Sequence, residues 1–225
     1  MSGLTEKYVQ DVSLEFLKKY YEDKDKPEKI FCKKEVVTKY KKRKGRADGL
    51  IAYKNGNQIY TVSLEAKSHK TYDTLIAIYN DKLWLLIGFI VACIIFAFSI
   101  FLLWQLNWII KMVISLSVGT LFGFAAMFLI DEKGYLNRHG IIEQVRRYPA
   151  NERWIAFSYD AYSFFDKQNE HELKIRAKRY GIGIIIVSKS RKAYIELHAK
   201  ASNMKGKMNF LKYYSAADSI EKSIN

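Results

Sequence analysis

The chain has 225 residues, with 37 Lys+Arg against 23 Asp+Glu for a net charge of +14, and 49% of its residues are hydrophobic, enough for one or two packed domains. Two cysteines, Cys32 and Cys93, suggest no disulfide or metal cluster, and His69, His139, His171 and His198 have no metal-ligand spacing, which sets zinc aside. The first 80 residues are polar and lack an apolar core region, which excludes a cleaved signal peptide.

From Leu4 to Tyr21, Leu4, Tyr8, Val9, Val12, Phe16, Leu17 and Tyr20 recur close to helical spacing, so an amphipathic helix is expected there. A charged turn, Glu22 to Glu28 with Pro27, ends it. Ile30 to Thr38, Asp48 to Tyr53 and Gln58 to Leu64 are rich in Ile, Val, Tyr and Thr and read as strands, the last two forming a hairpin around Asn55-Gly56-Asn57.

No charge occurs from Leu83 to Leu103 or from Met112 to Ile130. Helices over these stretches would each be roughly 30 Å long, the thickness of a bilayer's hydrocarbon core. Two transmembrane spans are expected, about 83–103 and 108–130, joined near Gln105-Leu106-Asn107, with Trp84, Trp104 and Trp108 at the predicted interfaces. Residues 1–82 carry 18 Lys+Arg and residues 131–225 carry 18, against Lys111 alone in the second span. The bias toward positive charge on the inner side places both termini in the cytoplasm of a cell with an inner or cytoplasmic membrane. Lys111 snorkels to the outer interface in this reading, and Gly119-x-x-x-Gly123 permits close helix packing, within one chain or between copies.

Beyond the spans, Tyr135 to Tyr148 reads as a helix, Arg153 to Ser158 as a strand, and Asp166 to Tyr180 as a polar helix ended by Gly181 and Gly183. Ile184 to Ser188 and Lys192 to His198 read as strands. Three strands and one helix leave a sheet face bare. The expectation is therefore one cytoplasmic α/β domain assembled from residues 1–82 and 131–225, with the hairpin, residues 83–130, inserted between its halves.

An acid two residues before a lysine occurs four times, at Glu22, Glu65, Asp131 and Glu172, but only Glu65-Ala66-Lys67 follows an apolar strand. Strand alternation puts Glu65 and Lys67 on one face and Ala66 on the other. Asp48 opens the neighbouring strand, which brings a second carboxylate to the same end of the sheet. Two carboxylates and the backbone carbonyl of Ala66 suit Mg²⁺, a hard ion that takes oxygen ligands, with Lys67 beside it to hold or deprotonate a water. Arg46 and the run Lys41, Lys42, Arg43 and Lys44 lead straight into Asp48 and read as a phosphate-binding loop. The ordinary basic excess of inner-facing segments and attraction to anionic lipid account for the same run.

Asp48 followed by Glu65-x-Lys67, within an α-β-β-β-α-β-α-β order, resembles the PD-(D/E)xK nuclease superfamily, in its Mrr-like flavour. Ala47 stands where the motif's name has proline, and the membrane hairpin departs from the family pattern. The resemblance implies a restriction-endonuclease-like core, a mixed sheet flanked by helices. It also implies Asp48 and Glu65 as metal ligands, Lys67 as the catalytic lysine, Glu6 as a further acid near the metal, and Gln144, which Tyr148 follows, as the glutamine of the next helix. The implied cofactor is Mg²⁺, with Mn²⁺ as a substitute. The implied partner is DNA, with RNA as an alternative and Lys70 as a further phosphate contact. Cutting both strands needs two active sites or two visits, so a homodimer or higher oligomer is expected. The implied activity is endonucleolytic, in defence against foreign DNA. Two other readings remain open, a catalytically inactive tethered binding module and a sensor domain controlling a membrane-perturbing hairpin.

Overall fold

The computed structural model of the chain describes residues 3–39, 45–69, 77–79, 81–102, 107–132, 137–201 and 209–224. Lys41, Lys42, Arg43, Lys44, Lys70, Trp104 and the Gln105-Leu106 connector lie outside these residues, as does the side chain of Trp84. The chain divides into two compact units, one comprising Met1–Ile76 with His139–Asn225, the other Ala77–Arg138.

The first unit opens with α1, Glu6–Asp25. Thr5 caps it by accepting from the Tyr8 amide, and Lys26 closes it in the left-handed region at φ 46°. The helix runs four residues past Tyr21, into the segment expected to turn, because Tyr21 is fully buried. Three antiparallel strands follow: β1, Ile30–Thr38, β2, Gly45–Asn55, and β3, Gln58–Lys67, the last two joined through Gly56 at φ +58°. β2 thus begins three residues ahead of Asp48, and β3 carries the Glu65-x-Lys67 tripeptide inside the strand.

The rest of this unit is supplied after the inserted unit: α4, Gly140–Arg146, β6, Glu152–Ser158, α5, Tyr159–Ser163, α6, Lys167–Arg179, β7, Ile182–Val187, and β8, Ala193–Leu197. A 3-10 turn at Phe210–Tyr213 and α7, Ala217–Ile224, end it. The strand order is β1-β2-β3-β6-β7-β8. β3, β6 and β7 are parallel, and the other three pairings, β1–β2, β2–β3 and β7–β8, are antiparallel. The fold is an α/β sheet, mixed and open, flanked by helices, with its halves interleaved at the β3–β6 pairing.

One face packs on α1, where Val9, Leu14, Leu17 and Tyr21 meet Ile51, Leu64, Ala66 and Trp154. The other face holds two clusters. Ile141, Val145, Leu173 and Ala177 of α4 and α6 cover Ile155, Phe157 and Ile184. Leu211, Tyr214 and Ile220 of the C-terminal segment cover Val36, Leu50 and Ala52. That segment also extends the sheet, since the Lys39 amide donates to Tyr213 and the Ser215 amide to Val37 along the outer edge of β1.

Where a helix was expected over Tyr135–Tyr148, the described residues form β5, Asn137–His139, then α4. β5 pairs with β4, Ala77–Tyr79, and that pairing delays the helix to Gly140. In the second unit α2, Asp81–Leu102, and α3, Trp108–Glu132, pack antiparallel. The expected glycine pair serves this intrachain seam. Gly119 lies against the Ala92 backbone and Gly123 against the Gly88 carbonyl, with Ser115 buried one turn earlier. Phe89, Ile94 and Phe98 of α2 and Leu116, Leu121 and Phe124 of α3 are exposed. Among the described residues one stretch, Trp108–Ala125, is long and apolar enough to cross a membrane, and the apolar stretch of α2, Gly88–Phe98, is shorter.

Gly181, at φ +67°, ends α6 as expected, whereas Gly183 is a strand residue with a packing role. A Cβ there would sit 2.3 Å from the buried Trp154 ring. Gly183→Ala should therefore destabilise the protein by about 1–3 kcal/mol through overpacking, read as a lowered denaturation midpoint in detergent solution.

Candidate functional site

The β2–β3 ladder ends at the pair Gly49↔Leu64. One step further, Asp48 and Glu65 face each other on the sheet face opposite α1. The strands part here because the Asp48 side chain takes over the acceptor role. Its Oδ2 receives the Ala66 amide at 2.7 Å, while Gln10 of α1 donates to the Asp48 carbonyl at 2.5 Å. Gly49 lets α1 approach, since a Cβ there would meet Leu14 Cδ1 at 2.7 Å. β3 carries on beside β6, with Glu65 opposite Ile155 and Lys67 opposite Phe157.

Glu65 is 2% exposed and engaged on both oxygens. Oε1 accepts from Lys67 Nζ at 2.7 Å and from Gln144 Nε2 at 2.5 Å. Oε2 lies 2.9 Å from the Tyr148 hydroxyl, which also lies 2.9 Å from the Arg46 carbonyl, so its one proton serves one or the other. Gln144 uses its second hydrogen on the Tyr148 oxygen at 3.2 Å. Burial, followed by the charge of Asp48, pushes Glu65 up to about 7, against the opposing pull of Lys67 and of the Lys67 and Tyr148 hydrogen bonds. Burial likewise raises Asp48, with the Ala66 amide, Lys67 and Arg46 pulling it back and Glu35 adding to the rise. Tyr148, raised by burial and by Glu65, is a neutral donor.

The sequence-derived residues divide accordingly. Asp48, Glu65, Lys67 and Gln144 come together, and Ala66, buried toward α1, contributes its backbone to the same point. Arg46 borders the site and pairs with Glu35 at 3.6 Å, both more than half exposed, a contact of little energetic weight. Glu6 does not join. Among the described residues no three His, Cys, Asp or Glu side chains are grouped to hold a metal. The reason lies in the packing of α1, which sets Gln10 against Asp48 and leaves Glu6 one turn, about 5.4 Å, toward the helix start, where it is a first-turn acid favoured by the helix dipole.

Two contributors went unassigned from sequence. Tyr148 stands four residues after Gln144, a spacing that would have flagged it, while Gln10 carries no signal beyond its place one turn after Glu6. Glu35 also emerges only here, at φ 52° in β1, across from Asp48 between the pairs Lys34↔Gly49 and Val36↔Ala47.

No protein-family model, curated protein or solved structure matches the chain. The donor set is its own guide to chemistry. A buried and a half-buried carboxylate, the first raised in part by the charge of the second, with one carbonyl nearby and a lysine on the buried one, fit a hard divalent cation better than a soft one.

Titration of Glu65 gives a signed test. A carboxyl raised from 4.5 to about 7 in the folded state stabilises the protein below the lower value, and that contribution is lost as pH rises through the upper one. Without metal, the wild-type melting temperature should fall between about pH 5 and about pH 8, and Glu65→Gln should flatten that decline. By calorimetry, Mg²⁺ should bind more tightly at about pH 8 than at about pH 6, because the proton competes for the carboxylate.

Proposed function

We propose that this chain is a divalent-metal-dependent endonuclease of the PD-(D/E)xK superfamily, with a restriction-endonuclease-like core, acting on DNA. The observation that carries the reading is the convergence of Asp48, Glu65 and Lys67 where β2 and β3 part, with Gln144 of α4 and Tyr148 of the turn after it gripping Glu65. The strand order with its parallel β3–β6 pairing supports it.

A Mg²⁺ or Mn²⁺ ion held by Asp48, Glu65 and the Ala66 carbonyl would polarise a phosphodiester and acidify a bound water. The chain's own groups do the rest. Gln144 and Tyr148 fix the Glu65 carboxylate in one orientation. Lys67, 9% exposed at its side chain, sits on Glu65 Oε1, where it can orient an attacking water and offset charge developing on the phosphate. Arg46, on the open side, supplies a cation for the backbone of the nucleic acid.

The same proposal places the enzyme at a membrane. Its α2–α3 hairpin crosses the bilayer twice and leaves both termini in the cytoplasm, a reading supported by the charge-free runs, the small-residue seam and the large apolar side chains turned outward. Confinement there would suit defence against incoming foreign DNA. A second reading, a tethered nucleic-acid-binding module without turnover, draws on one observation, that no third acid joins Asp48 and Glu65 among the described residues.

Cleavage decides between them. Purified in detergent, the wild type should cut plasmid or linear DNA with Mg²⁺ or Mn²⁺ and not with EDTA, and Glu65→Ala and Lys67→Ala should each lower the rate at least about a hundredfold. Cleavage surviving in both variants would sink the site, and binding without cleavage of DNA or RNA would favour the second reading. Resistance of the membrane-bound protein to alkaline carbonate extraction checks the anchor.

A further inference from the structure

Glu35 lies in β1 at φ 52°, in the left-handed region that a glutamate rarely adopts. Residues two apart in a strand ordinarily share a face. The two that flank Glu35 do not. Lys34 Nζ reaches Asp11 of α1, whereas Val36 clusters with Leu211 and Tyr214 on the face away from α1. The ladder keeps its register through this point, with Lys34 opposite Gly49 and Val36 opposite Ala47. The left-handed residue therefore turns β1 over without a slip.

That change of face carries Thr38, two residues past Val36, to the side of the sheet on which Glu65 lies. Thr38 is buried there between two neighbours. On its outer side is Tyr214 of the C-terminal segment, where the Lys39 amide donates to the Tyr213 carbonyl at 2.8 Å and the Ser215 amide to the Val37 carbonyl at 3.0 Å. Those bonds bracket Thr38 and Tyr214 as a non-hydrogen-bonded pair, the closer kind, with both side chains on one face. On its inner side Thr38 pairs with Gly45. Gly45 has no side chain to complete the row, and the Tyr148 ring lies beside the vacant position. A Cβ on Gly45 would stand 3.1 Å from Thr38 Oγ1 and 3.5 Å from that ring.

Tyr148 needs such a seat. Its amide donates to the Val145 carbonyl at 3.1 Å, and Arg153 Nε donates to its carbonyl at 2.9 Å, so its backbone is held. Its hydroxyl stands 2.9 Å from both Glu65 Oε2 and the Arg46 carbonyl. What lies beside the ring, the row Tyr214, Thr38 and Gly45, keeps it from swinging away and exchanging Glu65 for water. Tyr214 is 2% exposed, and its hydroxyl has no hydrogen-bond partner among the described residues. A buried hydroxyl without a partner stabilises nothing, so the ring is the part of Tyr214 that serves the row.

We infer that Tyr214 is a positioning residue of the Asp48–Glu65–Lys67 site: with Thr38 it braces the Tyr148 ring over Gly45, and Tyr148 in turn holds the Glu65 carboxylate for the metal. The C-terminal segment is thereby part of the site's frame. The inference rests on the metal-dependent nuclease reading and adds a residue to it.

The test uses the full-length protein in detergent, with Mg²⁺ affinity by calorimetry, kcat on plasmid DNA and melting temperature measured for each variant. Tyr148→Ala, and Gly45→Leu, which puts a side chain into the ring's seat, should each weaken Mg²⁺ binding at least about tenfold, as loss of a metal ligand's hydrogen-bond partner does. Tyr214→Ala should weaken it at least about fivefold and lower kcat by a similar factor, while Tyr214→Phe matches the wild type in both and melts no lower. Thr38→Ala, a smaller cut in the same row, should move both in the same direction and stands in where Tyr214→Ala does not fold. Ile185→Ala, a core truncation on the α1 side of β7, should lower the melting temperature yet leave Mg²⁺ affinity and kcat within about twofold. The brace is overturned if Tyr214→Ala and Thr38→Ala keep wild-type Mg²⁺ affinity while Tyr148→Ala loses it. It is overturned equally if Ile185→Ala loses as much affinity as Tyr214→Ala, or if Tyr214→Phe fails as Tyr214→Ala does. A wild type that binds Mg²⁺ but cuts no nucleic acid loses the nuclease reading and leaves the affinities to decide the brace, and one that binds no Mg²⁺ loses both.

Discussion

The hydrogen bond from the Ala66 amide to Asp48 Oδ2 organises the first unit. A β-ladder normally spends each such amide on a neighbouring carbonyl. Here a side-chain oxygen accepts the hydrogen bond, so β2 and β3 can part without leaving a buried donor unsatisfied. The same bond pins one carboxylate beside another, since Glu65 is the residue immediately before Ala66. The ladder's end and the electrostatic strain at the site are therefore one feature.

Glu65 stands on the seam between two clusters, one built by α4, α5 and α6 and the other by the C-terminal segment. Its partners come from both sides of the insertion, Lys67 from β3 and Gln144 with Tyr148 from the start of the second half. Neither half could hold this carboxylate alone. β3 and β6 are adjacent and parallel, and a parallel pair requires a crossover of a dozen residues or more. The second unit grows out of the one connection around the site that topology already obliges to be long.

Sequence was informative wherever a period or a local turn decided the outcome. Alternation placed Glu65 and Lys67 on one face, Gly56 marked the hairpin, and Asp166 and Gly181 bracketed α6. Asp48 was legible because a hairpin's register is set by its turn. Long-range packing was not legible. Glu6 looked like the helix acid nearest the site, but the depth at which α1 docks depends on Leu14 against Gly49, and that contact selects Gln10 instead. Nothing local announces that Glu35 will be held at positive φ, or that Tyr213 and Ser215 will pair along the edge of β1. The delayed start of α4 has the same origin, because the strand that displaces its first turn has its partner at Ala77–Tyr79.

A second buried acid shows what distinguishes Glu65. Glu152 is 4% exposed, and its carboxylate is met by the Tyr21 and Tyr60 hydroxyls and, at 3.4 Å, by Lys24 Nζ. Trp154 Nε1 donates in turn to the Tyr21 oxygen at 2.8 Å, closing a network between α1 and the sheet. Glu152 therefore has donors in the same number as Glu65 and comparable burial. What it lacks is a second carboxylate across a parted ladder. Three donors suffice to bury one negative charge, so Glu152 fastens α1 to the sheet. At Glu65 a similar set must also contend with Asp48, and Lys67 answers the added negative field. Burial and hydrogen bonding alone describe both glutamates; the charge of Asp48 across the parted ladder is what sets Glu65 apart.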